Sequence, residues 1–187
     1  MPIKRDFQIA SVWSRLALCL LFISSVLIII AFSCTGWGEN GLGEHWGLWR
    51  KCGEYDVDRV GCLNLDGSAS DWWAFTQAAS VFGLIGTFLA FGMLILYIFT
   101  ESCKQKKELV VAMTCICFFC GIMNLIGCIV FGVYWDRTYM EEIVLGQTVL
   151  YWLSYAYGLS LVASILDLSA GFVLVVETKN NKEAVAE

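Results

Sequence analysis

Four runs of mainly apolar residues, at about 16–35, 72–100, 109–135 and 149–176, divide this chain and limit what it can become. Each is long enough to cross a hydrocarbon core of roughly 30 Å as a helix rising about 1.5 Å per residue. In lipid a backbone amide must find its partner within its own segment, so four helices crossing as a bundle is the economical solution. Composition points the same way. The chain is 58% hydrophobic with one proline and 16% charged residues, whereas about 45–50% apolar is usual for a soluble domain. The first run follows Lys4, Arg5 and Arg15 much as a secretory signal would. Leu16 to Phe32 is longer than a signal core, however, and reads as a retained span. Residues 1–187 are therefore read as a single tetraspan domain of the membrane α-helical class.

Lysine and arginine set the orientation. Segments 1–15, 101–108 and 177–187 hold eight of them: Lys4, Arg5, Arg15, Lys104, Lys106, Lys107, Lys179 and Lys182. Segments 36–71 and 136–148 hold four: Arg50, Lys51, Arg59 and Arg137. The first set is expected to be cytosolic and the second extracellular, with both termini inside. Trp37, Trp72 with Trp73, Tyr134 with Trp135, and Tyr151 with Trp152 mark the outer end of every span, where amphipathic rings prefer to lie. The run Ile143–Val176 is 34 residues with one charge, Asp167, and is too long for one crossing. Its first residues, Ile143-Val144-Leu145-Gly146, are expected above the membrane as a short strand against the first outer segment. Small residues recur every four positions: Ala79 with Gly83, Gly86 with Ala90, and Ala156 with Ser160 and Ser164. Such stripes allow close helix approach, within the monomer or between copies.

Of nine cysteines, Cys19, Cys34, Cys115, Cys117, Cys120 and Cys128 fall in or at the ends of spans, where a thiol serves as a small apolar side chain. Cys103, beside Lys104 at the inner face, is a palmitoylation candidate or a plain thiol. Cys52 and Cys62 alone lie in the outer segment, and two cysteines without competitors in an oxidising compartment should pair. Closing that loop contributes about 3 kcal/mol on the chain-entropy account. Alternation across Trp46-Gly47-Leu48-Trp49-Arg50-Lys51-Cys52 reads as a strand. Trp46, Leu48, Arg50 and Cys52 then share one face, with Gly47, Trp49 and Lys51 on the other. His45 stands alone as the only histidine, so no metal site is expected.

Four spans with Trp37, then Gly47-Leu48-Trp49, two further residues, Cys52, nine residues and Cys62, resemble the claudin superfamily. That group takes in claudins, the peripheral myelin and epithelial membrane proteins, and the channel-associated transmembrane regulatory proteins. The resemblance covers nearly the whole chain. It implies an extracellular antiparallel β-sheet, pinned by the one disulfide, over a four-transmembrane-helix bundle. The twelve-residue step from Trp37 to Trp49 and the pair Asp71-Trp72 are more similar to the myelin and epithelial branch; Arg50 after Gly-Leu-Trp is similar to the channel-regulatory branch.

Ten outer acids face the four outer bases. Such a surface attracts cations and basic partners, and Glu54, Asp56 and Asp58, inside the disulfide loop beside Arg50, are the candidate contacts for a partner or a cation. Asp167 is the one acid deep in a span, a costly placement, and Asn124 on the third span is its candidate partner. No nucleophile–base pair, metal cluster or phosphate loop appears, so neither an enzyme nor a cofactor is expected. A net charge of −5 without a basic block argues against nucleic acid. Two main readings follow for a plasma-membrane protein whose partners are the bilayer and itself or another membrane protein. One is a claudin-like structural, cell-junction or adhesion role through the outer sheet and lateral self-association, placing it at cell–cell contacts. The other is an auxiliary subunit tuning the gating or trafficking of an ion channel. The acids add a third, a component of a paracellular cation pore.

Overall fold

The computed structural model describes residues 7, 10–56, 59–65, 70–100, 103, 106–139, 141–144 and 147–183. Four helices form the bundle: α1 (Val12–Ser33), α2 (Asp71–Phe99), α3 (Lys107–Tyr139) and α4 (Tyr155–Glu183). All four are long and apolar enough to cross a membrane. Ser11 starts α1 by accepting the Ser14 N–H on its hydroxyl at 3.1 Å, satisfying one of the free amides of the first turn. Helix α1 lies against α2 and α4, and α3 against α2 and α4, which closes a four-membered ring.

Large side chains such as Phe22, Val26, Phe82, Phe88, Ile122, Ile129 and Phe172 are exposed, as expected for a surface meeting lipid. The interior mixes large apolar side chains, among them Leu21, Leu94, Met113 and Leu174, with small ones, Ala17, Ala90, Ala163 and Ala170, and with buried serines, threonines and cysteines. Lipid tails are as apolar as leucine, so helix contacts here come from close packing rather than from hiding apolar surface. The small-residue stripes do this within the monomer. A β-carbon on Gly83 would meet the Asn124 side chain, one on Gly86 would meet Cys120, and Ala156, Ser160 and Ser164 are buried.

At one end of the bundle lies a six-stranded sheet: β1 (Gly38–Asn40), β2 (His45–Trp46), β3 (Arg50–Asp56), β4 (Arg59–Asn64), β5 (Glu141–Val144) and β6 (Gln147–Leu153). Its order is β4-β3-β2-β1-β6-β5 and every pairing is antiparallel. Cys52 and Cys62, directly opposed on β3 and β4, form the disulfide. Glycine and asparagine shape the β1–β2 loop, where the Asn40 carboxamide oxygen accepts the N–H of Leu42 and of Glu44, each at 3.0 Å.

Two expectations change here. The fourth apolar run is not helical from 149: residues 147–153 are strand β6, and the helix begins at Tyr155. A strand packed on an aromatic core is as apolar as a helix in lipid, so the run carried no internal boundary. The strand that reaches the first outer segment is correspondingly β6, pairing Gly38 with Leu153 and Glu39 with Trp152; among the described residues Glu141–Val144 pairs with β6, and Leu145 and Gly146 lie outside them. The single strand read across Trp46–Cys52 is instead a hairpin. Trp46 pairs with Lys51 and His45 with Cys52, so Gly47-Leu48-Trp49 is the turn.

Candidate functional site

That turn is what joins sheet to bundle. Gly47 donates its N–H to the Arg50 carbonyl at 2.8 Å, closing the hairpin. A β-carbon at Gly47 would stand 2.6 Å from the Cys34 carbonyl oxygen and 2.8 Å from the Thr35 Cα, so the turn lies directly on the backbone that leaves α1. Leu48 is fully buried. Its carbonyl accepts the Trp73 indole N–H at 3.0 Å and the Gln77 amide at 2.6 Å, tying the turn to α2. Trp49 packs on Phe32 with ring centroids 5.1 Å apart, and its own carbonyl accepts Leu65 N–H at 2.9 Å.

Trp37 does the same work on the other side. Its indole donates to the Ala31 carbonyl at 2.7 Å, satisfying one of the free acceptors at the end of α1. The Trp37 and Gly36 carbonyls accept N–H from Ser154 (3.0 Å) and Ala156 (2.7 Å), holding the start of α4. Around Trp37, the rings of Trp46, Trp73, Phe131 and Trp135 form one buried cluster. Their contacts are edge-on or tilted at 5.0–6.3 Å, except the Phe131–Trp135 stack at 5.5 Å. Aromatic pairs of this geometry contribute about 0.5–1.5 kcal/mol each beyond simple burial. The aromatics at the ends of the spans thus turn largely inward as a plug, with Trp72 and Tyr134 stacked at its rim. Gly38 passes flat over the Trp135 ring, which a β-carbon would strike at 2.1 Å.

Alternation along the strands separates two faces. On the bundle side lie Trp46, Tyr151 and Lys51, whose ammonium stands 4.6 Å from the Trp46 ring centroid and 2.9 Å from the Glu44 carboxylate. On the other face, the disulfide, His45, Glu39 and Trp152 form one row across β4, β3, β2, β1 and β6. Glu39 pairs with His45 at 3.4 Å and accepts the Ser154 hydroxyl. Trp152 is 46% exposed and Leu150, two residues before it, 59% exposed. Trp152 is therefore a surface residue of the sheet rather than a ring of the span.

The remaining candidates are scattered. Arg50 opens β3 with its side chain exposed. Glu54 and Asp56 are on β3 near its far end, opposite Val60 and Arg59; Asp58 lies outside the described residues. Cys103 is half-buried in the connection between α2 and α3. Inside the bundle Asp167 is fully buried and accepts the Thr87 hydroxyl at 2.7 Å on Oδ2, with the Cys120 thiol 3.8 Å from the same oxygen. Asn124 is not its partner. Its amide donates to the Ser160 hydroxyl (3.1 Å) and carbonyl (3.2 Å) and the Ser164 hydroxyl (2.9 Å), linking α3 to α4 instead. Sequence reading also passed over Glu177, assigned there to the tail. Glu177 is buried, accepting hydroxyls from Ser11 and from Tyr97 (3.2 Å) and so joining α4 to the starts and ends of α1 and α2.

Four membrane-length helices, the disulfide hairpin and the Trp37/Gly47-Leu48-Trp49 seat are now in place. A sequence model of the PMP-22/EMP/MP20/Claudin family matches residues 11–174. The chain belongs to that family. It is a multi-pass membrane protein of the claudin type, and the matched stretch runs from the N-cap of α1 to the buried Leu174 of α4. Among individually curated proteins the chain has no match.

Proposed function

We propose that the protein is a structural adhesion component of the plasma membrane, with the sheet outside, both termini in the cytosol, and no catalytic activity. The excess of lysine and arginine at the end opposite the sheet supports that orientation. The observation that carries the adhesive role is the exposed pair Leu150 and Trp152 on the sheet face turned away from the bundle. A tryptophan left in solvent beside polar side chains has the chemistry of a protein contact, since tryptophan is enriched where interfaces concentrate their energy. Trp152 beside Glu39 and His45 supplies an apolar anchor with a polar rim. The partner is a membrane protein facing it, including a second copy of the chain.

The test is expression in cells that lack junctions, followed by measurement of enrichment at cell–cell contacts and of aggregation in suspension. The double variant Leu150→Ser, Trp152→Ser should reach the surface normally and lose contact enrichment. Undiminished enrichment would refute the adhesive reading. A second reading has one observation of its own. Arg50 is an exposed cation with no ion pair among the described residues, placed where a neighbouring membrane protein could supply the carboxylate. Stoichiometric recovery of a pore-forming channel on gentle solubilisation would replace adhesion with the auxiliary-subunit role.

A further inference from the structure

Between the last turn of α1 and the hairpin turn lies a cavity of about 300 Å³ lined by Phe32, Ser33, Cys34, Thr35, Trp49 and Arg50. We propose that it holds the phosphate headgroup of a phospholipid from the leaflet on the sheet side.

The donors are of one kind. The Trp49 indole nitrogen is buried and has no hydrogen-bond acceptor among the described residues, a costly state for a buried N–H. Arg50, which has no carboxylate partner among those residues, also lines the cavity, as do the hydroxyl-bearing residues Ser33 and Thr35. No acidic residue lines the cavity. A site with an arginine fork, an indole N–H and hydroxyls, and without a carboxylate, suits an anion with several acceptor oxygens. Arginine matches phosphate geometry in particular.

Position selects a lipid over a soluble anion. Helix α1 spans 22 residues, about 33 Å at the usual helical rise. With a hydrocarbon core of roughly 30 Å, the end of α1 stands at the level of the headgroups. The tilted Phe32–Trp49 ring pair provides an apolar wall at that depth. Below it, Ile29, Val26 and Phe22 are exposed and recur at helical spacing on α1, which gives an acyl chain a continuous path. Headgroup and tail are thus accommodated along one line.

The experiment is native mass spectrometry of the full chain released from nanodiscs of phosphatidylcholine and phosphatidylglycerol in a 3:1 ratio. Retention of one phospholipid per chain is expected. Arg50→Gln should lower its occupancy about tenfold, the loss that corresponds to one charge-assisted hydrogen bond, and Arg50→Lys should restore part of it. Trp49→Phe keeps the ring, removes the N–H and should also lower occupancy. Thermal unfolding of each variant separates lost binding from lost fold, and Arg50, being exposed, gives the variant least able to disturb packing. Equal occupancy in Arg50→Gln and the parent would overturn the assignment. So would displacement of the bound molecule by excess inorganic phosphate, which would make this a free-anion site.

Discussion

Gly47 offers the sharpest test of how the sheet is seated. The perturbation is Gly47→Ala, one methyl group. That methyl would fall 2.6 Å from the Cys34 carbonyl oxygen, 2.8 Å from the Thr35 Cα and 3.3 Å from the Cys34 carbonyl carbon. All three are backbone atoms where the chain leaves α1, so no rotamer change relieves the clash. The turn has to lift. Overpacking of this kind costs about 1–3 kcal/mol. Lifting also stretches the bonds from Trp73 and Gln77 to the Leu48 carbonyl, each contributing roughly 0.5–1.5 kcal/mol. Together the loss is about 2–6 kcal/mol, which for a chain of this length corresponds to a drop of roughly 4–24 °C in Tm. The assay is thermal unfolding in nanodiscs, followed by tryptophan fluorescence, since the turn contacts the aromatic cluster. Gly41→Ala is the control, because a β-carbon there meets nothing within 4 Å. Equal Tm values for the two variants would refute the seat described for the turn.

Two further outcomes can be checked separately. Thr87→Val removes the hydroxyl on Asp167 Oδ2 while keeping shape; since Oδ1 has no partner among the described residues, the change should cost about 1–3 kcal/mol, with Thr87→Ser close to the parent. Unfolding temperatures in nanodiscs that rank valine level with serine would show that the hydroxyl contributes nothing. Neutralising Glu54, Asp56 and Asp58 together, as Gln, Asn and Asn, should reduce the cation preference of monolayer conductance or weaken partner capture at unchanged surface expression. Conductance and capture both equal to the parent would refute a contact role for these acids.

The bundle and the disulfide were legible because their signals are local in kind. Apolar run length reports a lipid crossing directly, and Cys52 and Cys62 were the two thiols in the outer segments. The hairpin was not legible. Trp46-Gly47-Leu48-Trp49-Arg50 alternates as a strand does, and what makes it a turn is the backbone of Cys34 and Thr35 lying against Gly47, a contact between distant segments. Strand β6 was hidden for a related reason. Val149 is buried and Tyr151 packs on the aromatic plug, and Leu150 and Trp152 are apolar although exposed, so no polar face marked the strand. Inside the bundle, helical rotation decides partners. Asn124 and Asp167 looked like a pair by polarity, yet each meets its own hydroxyls. Glu177 was invisible because position alone, at the end of a span beside lysines, suggested a solvated tail.

The residues that seat the sheet on the bundle and the residues that would meet a partner lie on different sides of the sheet. Trp37, Leu48 and Trp49 pack on the bundle, Gly47 rests on the backbone after α1, and the Leu48 carbonyl is spent on Trp73 and Gln77. Of these groups only the Trp49 indole N–H lacks a partner among the described residues. The opposite face, with Trp152, Glu39, His45 and the disulfide, shares their backbone but almost none of their packing. Substitution of Leu150 or Trp152 changes the outer surface without touching the seat, because successive strand residues point to opposite sides. The seat therefore fixes how the sheet is held and leaves open what it is held up to. In this chain that question comes down to Leu150, Trp152 and Arg50, whose side chains are exposed, and to three acids along the disulfide hairpin.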